Sequence, residues 1–560
     1  HGAKVALIQD RSVLGGNSSS EVRMHVCGAH GKDRRETGLI EELMLDNYYY
    51  NRTPNPSMWD AVLYGKALYQ ENLQVILNAS VNSLNLDGNH ITSVRAWQGT
   101  SETWITVSAP LFADCSGDGI LAPLSGADFR IGREARSEFN ESIAPEISDK
   151  KTMGMSCLFQ AREHDSPQTF IPFPWAYSYD GDDVSWLEGR GVNIMHTNFW
   201  WMEVGGEADS IHDTENCREE LLKIAFGVWD YLKNHAADKD KYANFSLDWQ
   251  SFLPGKRESR RYYGDVILNQ NDVEAEGRFE DIVAYGGWSM DDHFPAGFYH
   301  HGHGTIYHPA PSPFGIPYRS LYSRNIDNLF CAGRCHSATH SAMSSTRVMA
   351  TTSLMGQAVG TAAALAVRHS LSPRGVYEQK LGDLQQNLMD DDCWIPWHSR
   401  RISDISRHAK LTAPGFSPEA LRNGLDRPID DCDNGWTGAL GDPVEYRFES
   451  EVDLSEARFV FDSDLNRTDP SRNQGQSRLL NLRYYRGLHD LPFAPPTTLV
   501  RNFRLETLGA DGKWQSVIHC HDNFQRLVRV PLHTRTKGIR FIPETTWGSE
   551  SVHLFAFEVK

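Results

Sequence analysis

Three times in this chain a short apolar run breaks on a glycine turn. The first, Lys4-Val5-Ala6-Leu7-Ile8, reads as a strand buried on both faces. It leads through polar Gln9-Asp10-Arg11 into Leu14-Gly15-Gly16-Asn17-Ser18-Ser19-Ser20. The second, Leu111-Phe112-Ala113-Asp114-Cys115-Ser116-Gly117-Asp118-Gly119, is an apolar strand that meets a carboxylate and two glycines. The third runs Leu329-Phe330-Cys331 into Gly333. Glycine reaches backbone conformations closed to other residues, and a turn without side chains lets a ligand approach the main chain.

Between these turns, Glu36 to Leu45 and Met58 to Asn72 have helical spacing. Val75 to Leu77, Ile91 to Trp97 and Trp104 to Val107 read as strands, with turns at Asp87-Gly88-Asn89 and Gly99-Thr100. From Arg130 to about Pro317 the chain becomes rich in Trp, His and Arg, with fewer clean periods. After Ser344-Ser345-Thr346-Arg347 comes a small-residue helix, Met355 to Leu365, and helices continue to about Asp390. The longest apolar stretch, Leu354 to Val367, is too short to span a bilayer and reads as a buried helix. Beyond about Thr412 short alternating runs dominate, among them Val444–Phe448, Ala457–Phe461, Leu527–Val530 and Gly538–Phe541; they predict a β-sandwich. Lys and Arg number 55 against 73 Asp and Glu, a net charge of −18, with no basic run. Nucleic acid and anionic membrane are poor partners for such a chain. The nine cysteines include no CxxC pair, which argues against zinc ribbons and thioredoxin-like chemistry. No leader is visible before His1, and the compartment, bacterial cytoplasm or periplasm, stays open.

Taken in order, Leu14–Ser19, Ala113–Gly119, Asn328–Arg334 and Thr346–Met349 with Met355–Ala363 resemble the two-dinucleotide-binding-domain FAD-dependent oxidoreductases. The nearest group is the bacterial set related to fumarate reductase-like flavoproteins, often fused to carbohydrate-associated modules. The resemblance implies an α/β fold: a Rossmann-like FAD-binding domain (1–130 and 318–375) and an inserted α+β substrate domain (131–317). A helical linker (376–411) and a galactose-binding-like sandwich (412–560) would follow. It implies FAD contacts at Gln9 or Asp10 for the ribose, at Gly15, Gly16, Asn17, Ser18 and Ser19, and at Val81. It extends them to Asp114, Gly117, Asp118, Gly333, Arg334, Thr346 and Arg347. Met355, Gly356, Gln357 and Ala358 would lie where free N–H groups at a helix start face the flavin pyrimidine oxygen. In the family a strand and GxGxxG precede these motifs. That fingerprint is missing here and is expected about 30 residues upstream of His1, the length scale of one βαβ unit.

Flavin chemistry needs a substrate C–H near N5 and a base for the accompanying proton. His293 to His308 holds five His in sixteen residues, and His300, His301 and His303 are the candidate bases. They read equally as satisfied loop histidines. A metal site with Asp291 and Asp292 is the minor alternative, lacking Cys partners or a helical His pair, and no metal is expected. Arg257 and Arg260, with Arg261, suit a carboxylate or flavin-adjacent anion, or a structural network with Glu258 and Asp265. Trp200, Trp201 and Trp288 read as core residues or as platforms for a sugar face. His336 and His340 lie near the flavin motif, and Arg133, Glu134 and Arg136 read as a solvated face. The leading expectation is hydride transfer between flavin N5 and a polar small molecule: a sugar, glycoside or related hydroxyl compound. The alternatives are a fumarate reductase-like enzyme on a carboxylate, and a carbohydrate-binding surface protein with a degenerate flavin domain.

Overall fold

A computed structural model describes residues 1–180, 187, 200–467, 485–486 and 492–560. Each of the three apolar runs forms a short strand. Strand β1 (Val5–Ile8) pairs in parallel with β2 (Leu73–Ile76). Strands β3 (Ala79–Asp87), β4 (His90–Gln98) and β5 (Thr103–Ser108) make an antiparallel meander. Strand β6 (Phe112–Asp114) follows. The expected burial of β1 on both faces is not found: Val5 is 51% and Leu7 36% exposed. Among the described residues β1 pairs with β2 alone, so its apolar side chains lack a second neighbour.

Two helices lie between β1 and β2. Helix α1 (Leu39–Tyr50) starts three residues later than its spacing predicts. Helix α2 (Pro56–Leu68) is begun by Asn55, whose side chain accepts from the Ser57 N–H, with Pro56 in the first turn.

The Trp- and His-rich region is built from short antiparallel ladders. Strand β7 (Met155–Ser156) lies between β8 (Glu203–Val204) and β9 (Gly255–Lys256). Strands β10 (Met290–His293) and β11 (Thr305–His308) form a hairpin with His293 opposite Thr305. Helix α3 (Thr214–Asp230) packs over a separate apolar cluster that includes Met155, Trp201, Leu221 and Phe298. The chain then returns to the first region, where β12 (Leu329–Cys331) pairs in parallel with β6. In this first region the parallel pairs β1–β2 and β6–β12 are thus separate two-stranded ladders among the described residues. Helix α4 (His340–Thr346), capped by the Thr339 hydroxyl, meets α5 (Met349–His369) at 95°. The small-residue helix therefore starts six residues before Met355, because Val348 adopts an extended conformation and ends the bend. Its apolar face is buried, and no single described helix is long and apolar enough to cross a membrane. Helix α6 (Pro373–Asp390) ends at the predicted residue.

Residues beyond Thr412 contribute most of one large antiparallel sheet. Its strands are β13 (Lys410–Thr412), β14 (Trp436–Ala439), β15 (Val444–Phe461), β16 (Val500–Leu508), β17 (Trp514–Cys520), β18 (Leu527–Thr546) and β19 (Ser551–Val559). The order is β14-β19-β15-β18-β16-β17, with β13 on β15. Val444–Phe448 and Ala457–Phe461, predicted as two strands, are the two ends of β15. Leu527–Val530 and Gly538–Phe541 likewise belong to β18. Register breaks at Arg447/Val452 and Leu454/Glu456 carry the chain through the polar stretch without a turn.

Candidate active site

The second glycine turn is held by Asp114 at the end of β6. Its carboxylate accepts from Ser116 N at 3.0 Å, Ser116 Oγ at 2.6 Å, Leu121 N at 2.8 Å and Tyr262 Oη at 2.6 Å. Asp114 is spent on shaping the loop. Above it, Asp118 Oδ2 accepts from Lys256 Nζ at 2.9 Å, and its Oδ1 accepts from Ser259 Oγ at 2.8 Å and lies 3.4 Å from Arg334 Nη2. Burial would raise the Asp118 carboxyl, but Arg334 and Lys256 hold it below the usual range. The first turn reaches the same place: Asn17 Nδ2 donates to the Lys256 carbonyl at 3.0 Å. Ser18 and Ser19 close their own turn onto the Gly15 and Gly16 carbonyls. Asn17, Asp118, Gly333 and Arg334 are thus brought together from three sequence motifs.

Beyond the segment 255–261 lies a buried cluster of charges. His293, 3% exposed at the end of β10, has Nδ1 2.6 Å from Glu203 Oε2. Its Nε2 lies 3.0 Å from Arg347 Nη2 and 3.3 Å from Asp291 Oδ2. Burial would lower the imidazole pKa, but Glu203 and Asp291 raise it above the ordinary value. Arg257 donates to Ser156 Oγ at 2.9 Å and to the Trp200 carbonyl at 2.8 Å, and lies 3.5 Å from Glu203. The Trp200 ring meets His293 edge-on at 5.1 Å.

A second chain of charges runs alongside. His340 has Nδ1 2.9 Å from Glu258 and Nε2 3.1 Å from Asp292. Burial opposes its protonation, yet the Glu258 and Asp292 carboxylates push its pKa up to about 10. Glu258 also pairs with Arg261 at 2.8 Å, which pairs with Glu134 at 2.9 Å. The neighbours Asp291 and Asp292 on β10 join the two chains. Only a protein interior that closes every charge with a partner tolerates such a set.

The comparisons with known proteins bear on what this arrangement serves. The model of the family described as FAD dependent oxidoreductase matches residues 1–388, well over half of the chain. The chain belongs to that family. Its cofactor is FAD. No curated protein matches the oxidoreductase. Among solved structures, a family 32 carbohydrate-binding module from Streptococcus pneumoniae EndoD is 13% identical. It covers 28% of this chain and 99% of that one, with a TM-score of 0.21. The family 32 module of C. perfringens NanJ, solved in complex with galactose, is 8% identical over 28% of this chain and 95% of that one, with a TM-score of 0.19.

The oxidoreductase places its predicted residues unevenly. His301 and His303 are exposed, and His300 stacks on Phe294 at 3.9 Å. The hairpin buries His293 and carries the later histidines out beyond it. Arg260 does not join Arg257: its Nη1 donates to the Asp118 carbonyl at 3.3 Å, on the glycine-turn side. Thr346 is buried, and Arg347 reaches the charge cluster. Met355 and Ala358 pack in the core, Gln357 Oε1 accepts from Leu39 N at 2.8 Å, and Gly356 has open space at its Cβ position. The free N–H groups of α5 belong instead to the turn starting at Met349. Gln9 follows β1 and donates Nε2 to the Val13 carbonyl, Asp10 is exposed, and Val81 is a partly buried apolar residue. His336 is buried, with its pKa pushed down to about 4. Trp201 is core, and Trp288 stacks on His30 at 4.2 Å. Arg133 pairs with Asp149 and Arg136 with Glu146, whereas Glu134 is buried. Sequence reasoning missed Glu203 and passed over His293. The run Met290-Asp291-Asp292-His293, three ionisable residues after an apolar one, was the available signal.

Proposed function

We propose that the oxidoreductase acts on a polar small molecule bearing a hydroxyl group, such as a sugar or glycoside, and that His293 takes the hydroxyl proton. FAD, when bound, supplies the hydride acceptor at N5. Its fit is supported by Gly333, with φ +84° and nothing within 4 Å of a Cβ, and by the buried Arg334 Nη1, which has no hydrogen-bond partner.

The observation that carries the proton assignment is the environment of the one ring. Glu203 fixes the tautomer with hydrogen on Nδ1, which leaves Nε2 as an acceptor. In the neutral ring Nε2 accepts from Arg347; in the protonated ring it donates to Asp291. A side chain that keeps a partner in both protonation states is suited to gaining and losing a proton. The same geometry weighs against a carboxylate substrate. Arg257 is committed to Ser156, Trp200 and Glu203, and Arg347 Nη2 to Asp291 and His293. Arg257 does not offer the open two-pronged face that a carboxylate wants, whereas Arg347 keeps a buried Nε without a partner. A degenerate flavin domain fits poorly with so many buried charges, which are costly to retain.

The same division is proposed for the chain: 1–130 with 318–375 for FAD, 131–317 for substrate, 376–411 as linker and 412–560 as an appended sandwich. The apolar cluster that includes Leu221 lies within 131–317 and supports that range, whereas the cluster that includes Leu354 also takes in Met153, Ile282, Leu384 and Phe493. The test is anaerobic mixing of the flavin-loaded protein with a panel of glycosides, polyols and organic acids, followed by flavin absorbance. Bleaching by a hydroxyl compound is expected. Bleaching by none, or by acids only, overturns the proposal.

A further inference from the structure

The segment from Lys256 to Arg261 sends its side chains to two different places. Lys256, Ser259 and Arg260 turn to the Ser116–Gly119 loop, while Arg257, Glu258 and Arg261 turn to the buried charge cluster. On the loop side, three cations gather around one carboxylate. Lys256 Nζ is 2.9 Å and Arg334 Nη2 3.4 Å from Asp118, and Arg260 Nη1 is 3.3 Å from the Asp118 carbonyl. Three positive charges against the carboxylates of Asp118 and Asp114 leave an excess of positive charge. A diphosphate diester, with about two negative charges at neutral pH, is complementary to it.

The backbone is shaped for an approach from this side. Gly117 has φ +77°, and a Cβ there would stand 2.5 Å from Arg334 Nη2, so only glycine lets the guanidinium lie across the turn. Gly333 has nothing within 4 Å of its Cβ position. Arg334 Nη1 is buried without an acceptor, and an unmet charged donor of this kind is expensive unless a ligand supplies the oxygen.

We propose that Lys256, Ser259 and Arg334, with Arg260 at the rim, are the clamp for the diphosphate of FAD. The clamp rests on the flavoprotein reading, but it assigns cofactor binding to residues of the substrate-side segment. Lys256 is seated by the Asn17 side chain on its carbonyl, so the first glycine motif positions the cation rather than supplying it.

The test uses the full chain stripped of flavin. Affinities for FAD, ADP and riboflavin are measured by fluorescence quenching and by ligand-induced shifts in unfolding midpoint. Native protein is expected to bind FAD and ADP more weakly as salt rises, with riboflavin insensitive. Lys256→Met and Arg334→Gln are expected to weaken FAD and ADP ten- to hundredfold, to flatten the salt dependence and to leave riboflavin unchanged. Lys256→Arg is expected to restore most of the affinity. FAD and ADP binding by Lys256→Met and Arg334→Gln at native strength overturns the clamp while leaving the flavoprotein reading intact. Salt-insensitive FAD binding by native protein overturns it without any variant. Native protein that binds no FAD overturns both.

Discussion

At the scale of single residues, the site depends on which histidine is buried. His300, His301 and His303 draw attention by their density, yet the hairpin carries His301 and His303 to the surface. His293 sits between Glu203, Asp291 and Arg347, each within 3.3 Å of a ring nitrogen. Its raised pKa has a kinetic consequence with a definite sign. A base works in its neutral form, so the rate of flavin reduction should climb with pH through an inflection above the ordinary histidine value of about 6.5. His293→Gln should lower that rate by about 10²–10⁴-fold and remove the inflection, while FAD affinity stays native. Stopped-flow reduction across pH 5–9 checks both, and an unchanged profile in the variant excludes the role.

At the scale of elements, much was legible because the signals are local. Helical period places the body of α2, which runs Pro56–Leu68 where Met58 to Asn72 is expected, and the glycine turns place β6 and β12. What escaped depends on long-range pairing. The burial of His293 is set by β10 pairing with β11 and by Glu203, 90 residues away, neither of which leaves a local mark. The start of α5 was hidden because Val348 breaks the helical path without glycine or proline. The continuity of β15 was hidden because polar Glu449-Ser450-Glu451 imitates a turn. The joint between segment 255–261, β10 and α4 is His340. Its folded pKa of about 10 lies above the unfolded value of about 6.5. The stabilisation it gives is therefore fully present below about pH 6.5 and lost as pH rises toward 10. His340→Gln should lower the urea midpoint at pH 7 and flatten its decline between pH 7 and 10. A variant with the native slope would show that the ion pairs contribute nothing.

At the scale of the molecule, the large C-terminal sheet is fastened to the rest by buried arginines. Arg526 bonds Asp392 at 2.8 Å, Arg427 donates to the Asp33 and Arg35 carbonyls, and Arg467 pairs with Glu41 at 2.7 Å. Tyr49 of α1 stacks on Phe524 at 3.9 Å and meets Trp547 edge-on. The sheet is thus a fixed buttress of α1 and the C-terminal end of α6, and native protein should unfold in a single calorimetric transition. Arg526→Ala leaves Asp392 buried and alone, at a cost of about 3–5 kcal/mol. Two resolved transitions in native protein would show that the seam is weak.

The division of the Lys256–Arg261 side chains between two places also limits how this stretch can change its length. A substitution at one position touches one side only, the glycine turn or the buried charge cluster. Insertion of one residue after Lys256 would move every later side chain by one place, carrying Glu258 to the Asp118 side and Arg260 to the charge-cluster side. Point changes here are separable; length changes are not.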